Sequence, residues 1–257
     1  MEKKGQVTIF IIVGILIVGL ILLFFLFKDS INLPTIGGEE KNPSSYLESC
    51  LEENVKEGIN LLLLQGGKIS PNSYKSFKFE GEEPKNISYL CYNSQDYLPC
   101  VNQEPMLIKT LENEMYNYIE TDVEECFDSL TSNLKKQRYN VDATYRKFEI
   151  NLDEEGIKIN IDAKITLTKS DETSTQENFE IIIPSEMREI AIVAGEIINK
   201  EASTCDFNHY DMPKYKQVEI TPYKTSDSSE IYKIKHKESE EEFRFAIKGC
   251  IIPSGWF

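Results

Sequence analysis

Histidine is almost missing from this chain: His209 and His236 are the two among 257 residues. They stand in unrelated neighbourhoods, so a Ser-His-Asp triad has no evident base. No G-x-S-x-G, H-E-x-x-H or G-x-G-x-x-G segment occurs, and there is no P-loop. Those absences remove the nucleophile elbow, the helical zinc-protease pair, the dinucleotide fingerprint and the phosphate cradle. Tight Cys-x-x-Cys pairs are missing too, and structural zinc is usually held by such pairs. Carboxylates are abundant, but nothing marks out two of the 43 acidic residues as a glycosidase pair. No catalytic residue, metal or cofactor is therefore assigned, and the chain is not read as an enzyme.

Positive charge is also in deficit. Lys and Arg number 28 against 43 Asp and Glu, for a net charge of -15. Residues 1–28 hold Lys3, Lys4, Lys28 and Glu2, a net of +2, so the remainder carries -17. An acidic chain of this kind repels nucleic acid and anionic lipid, and neither is expected as a partner of the head. The charge serves as a solubilising surface, or it meets a cation-rich partner.

Apolar residues concentrate at the N-terminus. Val7 to Phe27 is an unbroken run in which Thr8, Gly14 and Gly19 are the least apolar members. At about 1.5 Å per residue it spans roughly the 30 Å hydrocarbon core of a bilayer. The run is too long for the apolar core of a cleaved secretory signal, and Phe25-Leu26-Phe27-Lys28 offers no small-x-small cut site. Lys3 and Lys4 place the N-terminus in the cytoplasm and the rest outside. Residues 7–27 thus contact membrane lipid as a single-pass anchor. Gly14 and Gly19 are five apart and do not form a small-xxx-small dimerisation face.

Lys3-Lys4-Gly5-Gln6 directly ahead of a long apolar helix resembles the class III signal of archaeal type IV pilin-like proteins. The resemblance covers the first 28 residues. It implies cleavage between Gly5 and Gln6 by a dedicated membrane peptidase, and self-association through the N-terminal helix. One position departs from the pattern. Many such proteins carry glutamate at the fifth mature position, and here that residue is Phe10. The stretch from Cys50 to Pro105, with Leu-Gln-Gly-Gly and Pro-Cys-Val-Asn-Gln-Glu-Pro, is similar to surface proteins of small symbiotic archaea. That similarity implies location rather than mechanism.

Six cysteines follow the anchor: Cys50, Cys91, Cys100, Cys126, Cys205 and Cys250. An even count outside a membrane suits three disulfides in an oxidising space, with free thiols in a reducing space as the alternative. Cys91 and Cys100 flank a polar, turn-rich stretch and form the clearest pair. Cys50 and Cys126 each sit on an expected helix, so bonding them would staple the two. Cys205 with Cys250 remains. Asn86-Ile87-Ser88 is the one glycosylation sequon, usable if it lies in an exposed loop.

Along the chain, residues 29–43 carry Pro34, Gly37-Gly38 and Pro43 and read as a linker. Ser45 with Glu48 reads as a capping box. Leu47, Leu51, Val55, Ile59, Leu62 and Leu63 recur at helical spacing until Gln65-Gly66-Gly67. Residues 68–104 read as irregular, with short strands at 74–79 and 87–92. Pro105 opens a second helix reaching about Lys136, with Leu111, Met115, Ile119, Val123 and Leu130 on its buried face. Ile157, Ile159, Ile161, Ala163, Ile165 and Leu167 alternate with polar residues, the period of a half-buried strand. Strands at 145–152 and 179–183 flank it in an antiparallel meander, the latter after a polar loop at 169–176. A third helix follows Pro184-Ser185, then strands at 217–221, 230–236 and 242–248. Helix followed by three strands thus occurs at 105–183 and again at 185–248. Trp256-Phe257 is expected to pack against the last sheet.

The expected fold class is α+β: one N-terminal transmembrane helix, then an antiparallel-sheet extracellular head with three amphipathic helices. The expected divisions are the signal and anchor at 1–28, linker at 29–43, a disulfide-linked helical subdomain at 44–136 and an α+β subdomain at 137–257. The expected role is a structural or adhesive surface protein, possible partners being a second copy or another surface protein. A filament subunit and a non-polymerising binding or assembly-accessory module are the alternatives, with an extracytoplasmic hydrolase ranked behind them.

Overall fold

Asn42 caps the first described helix, and its side chain accepts the Ser44 backbone N–H at 3.0 Å. The structure, a computed structural model, describes residues 42–95, 97–205, 207 and 216–249. They belong to one compact unit, Asn42–Phe257. The expected anchor at 7–27, the Gly5-Gln6 site, His209, Cys250 and Trp256-Phe257 lie outside the described residues. Among the described residues no helix is long and apolar enough to cross a membrane.

Helix α1 (Pro43–Leu64) starts earlier than the Ser45/Glu48 box suggests. Asn42 is the cap, and Pro43 takes the first turn, where its missing N–H costs no hydrogen bond. The helix ends where expected, with Gly66 and Gly67 at φ +72° and +81°. The Gly67 N–H closes on Leu62 O at 2.7 Å. Strands β1 (Tyr74–Phe77), β2 (Lys85–Tyr92) and β3 (Val101–Asn102) follow. Helix α2 (Leu107–Lys136) begins two residues after Pro105. Next come β4 (Asn140–Leu152), β5 (Ile157–Lys169) and β6 (Glu172–Ile183), then helix α3 (Met187–Thr204) and strands β7 (Val218–Lys224), β8 (Ser229–His236) and β9 (Glu242–Lys248). The helix-then-three-strands unit occurs three times among the described residues, once more than the sequence pattern suggests.

The fold is α+β, as expected, with one correction to the antiparallel sheet. Strands β4-β5-β6 form an antiparallel meander. The other sheet has six strands in the order β1-β2-β9-β8-β7, with β3 also on β2, and its β2–β9 pair is parallel. Period-2 patterning reports which face is buried, not which distant strand is the neighbour. A second correction concerns 169–176. The chain turns at Ser170, in the left-handed region, and β6 begins at Glu172. Its first seven residues are exposed, so burial does not hold them. Main-chain pairing to β5 does, with threonines facing across at Thr166–Thr175 and Thr168–Thr173, each pair 3.2 Å apart.

One core joins all three helices to both sheets. Leu47, Leu51, Val55 and Leu62 of α1 are wholly buried, as are Leu111, Met115, Ile119 and Val123 of α2. From β5, Ile157, Ile159, Ile161, Ala163 and Ile165 point into it, while Leu167 is partly buried. Helices α1 and α2 approach closely at Gly58, where a Cβ would come within 2.8 Å of the Tyr118 ring. The Cys50–Cys126 disulfide bonds the same two helices, with Cα atoms 6.0 Å apart. On the far face of the six-stranded sheet a small second cluster forms around Phe79, Ile87, Ile231 and Ala246. Arg244 fastens it. Its guanidinium lies 4.1 Å from the Phe79 ring centre and binds both carboxylate oxygens of Glu82, at 2.6 and 2.7 Å.

Candidate functional site

The segment between β2 and α2 is short of regular structure but not of fixing contacts. Asn93 is its hub. Its side-chain oxygen accepts the Gln95 N–H at 2.9 Å, and its side-chain nitrogen donates to Pro99 O at 2.9 Å. Its backbone N–H donates to Lys248 O at 2.8 Å. The Cys91–Cys100 disulfide, between two buried cysteines with Cα atoms 5.3 Å apart, closes the loop beneath. Gly249, at φ +137°, lets the end of β9 lie against it: a Cβ there would come within 2.9 Å of Leu98 O.

This fixed loop presents apolar side chains to solvent. The exposed large hydrophobic residues among those described are Tyr74, Tyr97, Leu98, Val101 and Met106. All but the first fall within ten residues of one another, with Val101 62% and Met106 71% exposed. Scattered apolar residues on a surface need no explanation, whereas such a concentration marks an interaction site. Beside Met106, at the start of α2, lies a groove of about 430 Å³ floored by Ile108, Ala191, Ile192 and Gly195. Nothing lies within 4 Å of a Cβ added at Gly195, so glycine leaves the groove open there. Asn102 donates to Asn199 at 3.0 Å and ties β3 to α3 at the groove edge. Glu104, Glu112 and Glu196 give the rim an acidic character, with Lys109 among them. Glu104 is held in place by the Thr110 hydroxyl at 2.7 Å and by Lys68 at 2.8 Å.

The sequence pattern reads 68–104 as irregular and puts Met106 in the helix opened by Pro105; it marks none of these apolar residues as a site. The signal available was the density of Tyr, Leu, Val and Met between a cysteine pair and a helix start.

Other residues named from the sequence fall as follows. Cys50–Cys126 and Cys91–Cys100 are bonded as paired there. Cys205 is disulfide-bonded as well; Cys250, its expected partner, lies outside the described residues. Asn86 is exposed but sits within β2 rather than in a loop. The Ser88 hydroxyl of the same sequon is buried and donates to Gln65 O at 2.7 Å. His236 does not stand alone. One of its ring nitrogens and one carboxylate oxygen from each of Glu186 and Glu189 lie within 4.8 Å of one another. Glu241 next to this group has its carboxyl raised above the usual range, mainly by burial. It accepts the Glu186 N–H at 2.6 Å.

No family model matches the chain, and comparison with curated proteins and with solved structures gives no similar protein.

Proposed function

We propose that this chain is a membrane-anchored extracytoplasmic surface protein of structural or adhesive role. Its head meets another protein through the rim of Tyr97, Leu98, Val101 and Met106. The carrying observation is that rim: apolar side chains held outward on a loop closed by a disulfide and by Asn93. A loop fixed before contact loses little conformational entropy on binding. Each such side chain fully covered by a partner contributes about 1.5–3 kcal/mol. Aromatic residues and methionine are also the types enriched at the centres of protein interfaces. The disulfides fit an oxidising compartment. The apolar run at 7–27 supports anchorage with the head outside.

The test is cross-linking on intact cells that carry the full chain, against a variant with Tyr97→Ser, Val101→Asp and Met106→Asp. The reading expects the wild type to enter a higher-mass cross-linked species and the variant to lose it while reaching the surface equally. Equal cross-linking of both chains would overturn it. Assembly into pilin-like filaments is the second reading, favoured by Lys3-Lys4-Gly5-Gln6 ahead of the apolar helix. Filaments seen by electron microscopy and abolished by Thr8→Lys would support it.

A further inference from the structure

His236 ends β8 at the point where the β8–β9 turn approaches the first turn of α3. It is 3% exposed. Among the described residues its imidazole makes hydrogen bonds with Ser239 alone: Nδ1 lies 3.0 Å from the Ser239 hydroxyl and 3.2 Å from the Ser239 N–H. That leaves Nε2 as the uncommitted ring nitrogen. Glu186 and Glu189 stand three residues apart, one helical turn, and so share a face. The ring nitrogen and the two carboxylate oxygens come within 4.8 Å of one another, yet no ion pair joins imidazole to carboxylate.

Two explanations compete for this arrangement. An imidazolium buried beside two carboxylates would close on one of them at about 2.7–2.9 Å. Here neither Glu186 nor Glu189 makes such a contact with the ring, which hydrogen-bonds Ser239 instead. Zinc-to-ligand bonds of about 2.0–2.1 Å set tetrahedral ligand atoms about 3.4 Å apart. A shift of about 1 Å in the half-buried glutamates would bring these groups to that spacing. Two carboxylates balance the charge of a divalent cation. They also offset the positive end of the α3 dipole, which alone would repel it. The backbone beneath the ligands is fixed: Glu241 accepts the Glu186 N–H at 2.6 Å, and the Ser185 hydroxyl accepts the Met187 N–H at 3.1 Å. In the metal-free chain Nδ1 accepts the Ser239 N–H at 3.2 Å; metal on Nε2 moves the ring proton to Nδ1, where the Ser239 hydroxyl at 3.0 Å accepts it as the outer partner.

The geometry points to a divalent transition-metal site of the zinc class, formed by His236 Nε2 and the carboxylates of Glu186 and Glu189. A mixed nitrogen and oxygen donor set suits Zn²⁺ or Mn²⁺ rather than Mg²⁺ or Ca²⁺, which take oxygen ligands. Three protein ligands leave a fourth position for water or for a side chain of a partner. The bound ion ties the β8–β9 hairpin to the start of α3.

The test is calorimetric titration of the full chain in detergent, disulfides intact and stripped with chelator, using ZnCl₂ with MgCl₂ as control. One Zn²⁺ per chain is expected, with little Mg²⁺ binding. His236→Gln and Glu189→Gln should each weaken Zn²⁺ binding at least about tenfold, and Ser239→Ala about tenfold through the outer partner. Glu189 is half-buried, so its variant keeps the test valid if His236→Gln misfolds. On binding, ¹⁵N NMR of the His236 ring should show the proton on Nδ1. Zn²⁺ binding no tighter than Mg²⁺, or unchanged in Glu189→Gln and in every other variant that folds, would overturn the site and leave only adventitious binding to the acidic surface.

Discussion

Removing the Cys50–Cys126 bridge, as Cys50→Ser with Cys126→Ala, should cost more stability than removing any other contact between α1 and α2. The bridge joins residues 76 apart, whereas Cys91–Cys100 joins residues 9 apart. In the chain-entropy account a cross-link stabilises by shrinking the unfolded ensemble, with a logarithmic dependence on loop length. For these loops it gives about 4.5 kcal/mol for the long one and about 2.6 kcal/mol for the short one. For a head of this size, 1 kcal/mol shifts the melting temperature by about 2–4 °C. The long-loop variant should therefore melt about 9–18 °C lower than the wild type, and the Cys91→Ser/Cys100→Ser variant about 5–10 °C lower. The assay is thermal unfolding of the full chain in detergent, with intact mass confirming that the remaining bridges are formed. A short-loop variant less stable than the long-loop one, or a loss under about 1 kcal/mol in the long-loop variant, would refute the chain-entropy origin of the difference. Either result would mean that the packing of α1 on α2 already restrains the unfolded chain.

Three further outcomes follow from single side chains. Gly58→Ala places a Cβ 2.8 Å from the Tyr118 ring and 3.0 Å from Met115 Sδ. It should cost about 1–2 kcal/mol in urea unfolding despite the better helix propensity of alanine. Gly156→Ala should cost more, above about 2 kcal/mol, because its φ is +137° and the Cβ would fall 2.2 Å from Ile183 O. The hydrogen bonds from Arg244 hold the Glu82 carboxyl below the usual carboxylate range. A depressed folded-state pKa stabilises above the unfolded value and is lost as pH falls through the folded one. Since Glu82 is partly exposed, Glu82→Gln should cost about 1–2 kcal/mol at pH 7 and progressively less below pH ~4. Urea midpoints of both proteins across that range check it.

Local periodicity made part of this fold legible. The alternation from Ile157 to Leu167 names the inward residues of β5, and the Leu47-to-Leu63 spacing names the buried stripe of α1. Both are signals carried within one element. Tertiary pairing was not legible. Nothing near Tyr89 announces that β2 will run parallel to β9, more than 150 residues later. The polar half of β6 looks like a loop because its pairing with β5 buries nothing. The start of α1 differs from the Ser45/Glu48 pattern for a more local reason: Asn42-Pro43 and Ser45/Glu48 are both good caps, and the chain uses the earlier one. The site residues follow the same division. Cys91 and Cys100 could be paired from the polar turn between them. His236 could not be joined to Glu186 and Glu189 from spacing alone, because 50 and 47 residues separate them in the chain and the α3–β8 packing brings them together.

The proposed surface role requires a head displayed in an oxidising space from a membrane anchor. The most direct test is the intact mass of the chain extracted from native membranes, alkylated without reductant. The expected result is a membrane-bound chain carrying no alkyl group, with every cysteine already bonded. Recovery in the soluble fraction, or alkylation at Cys50, Cys91, Cys100 or Cys126, would contradict it.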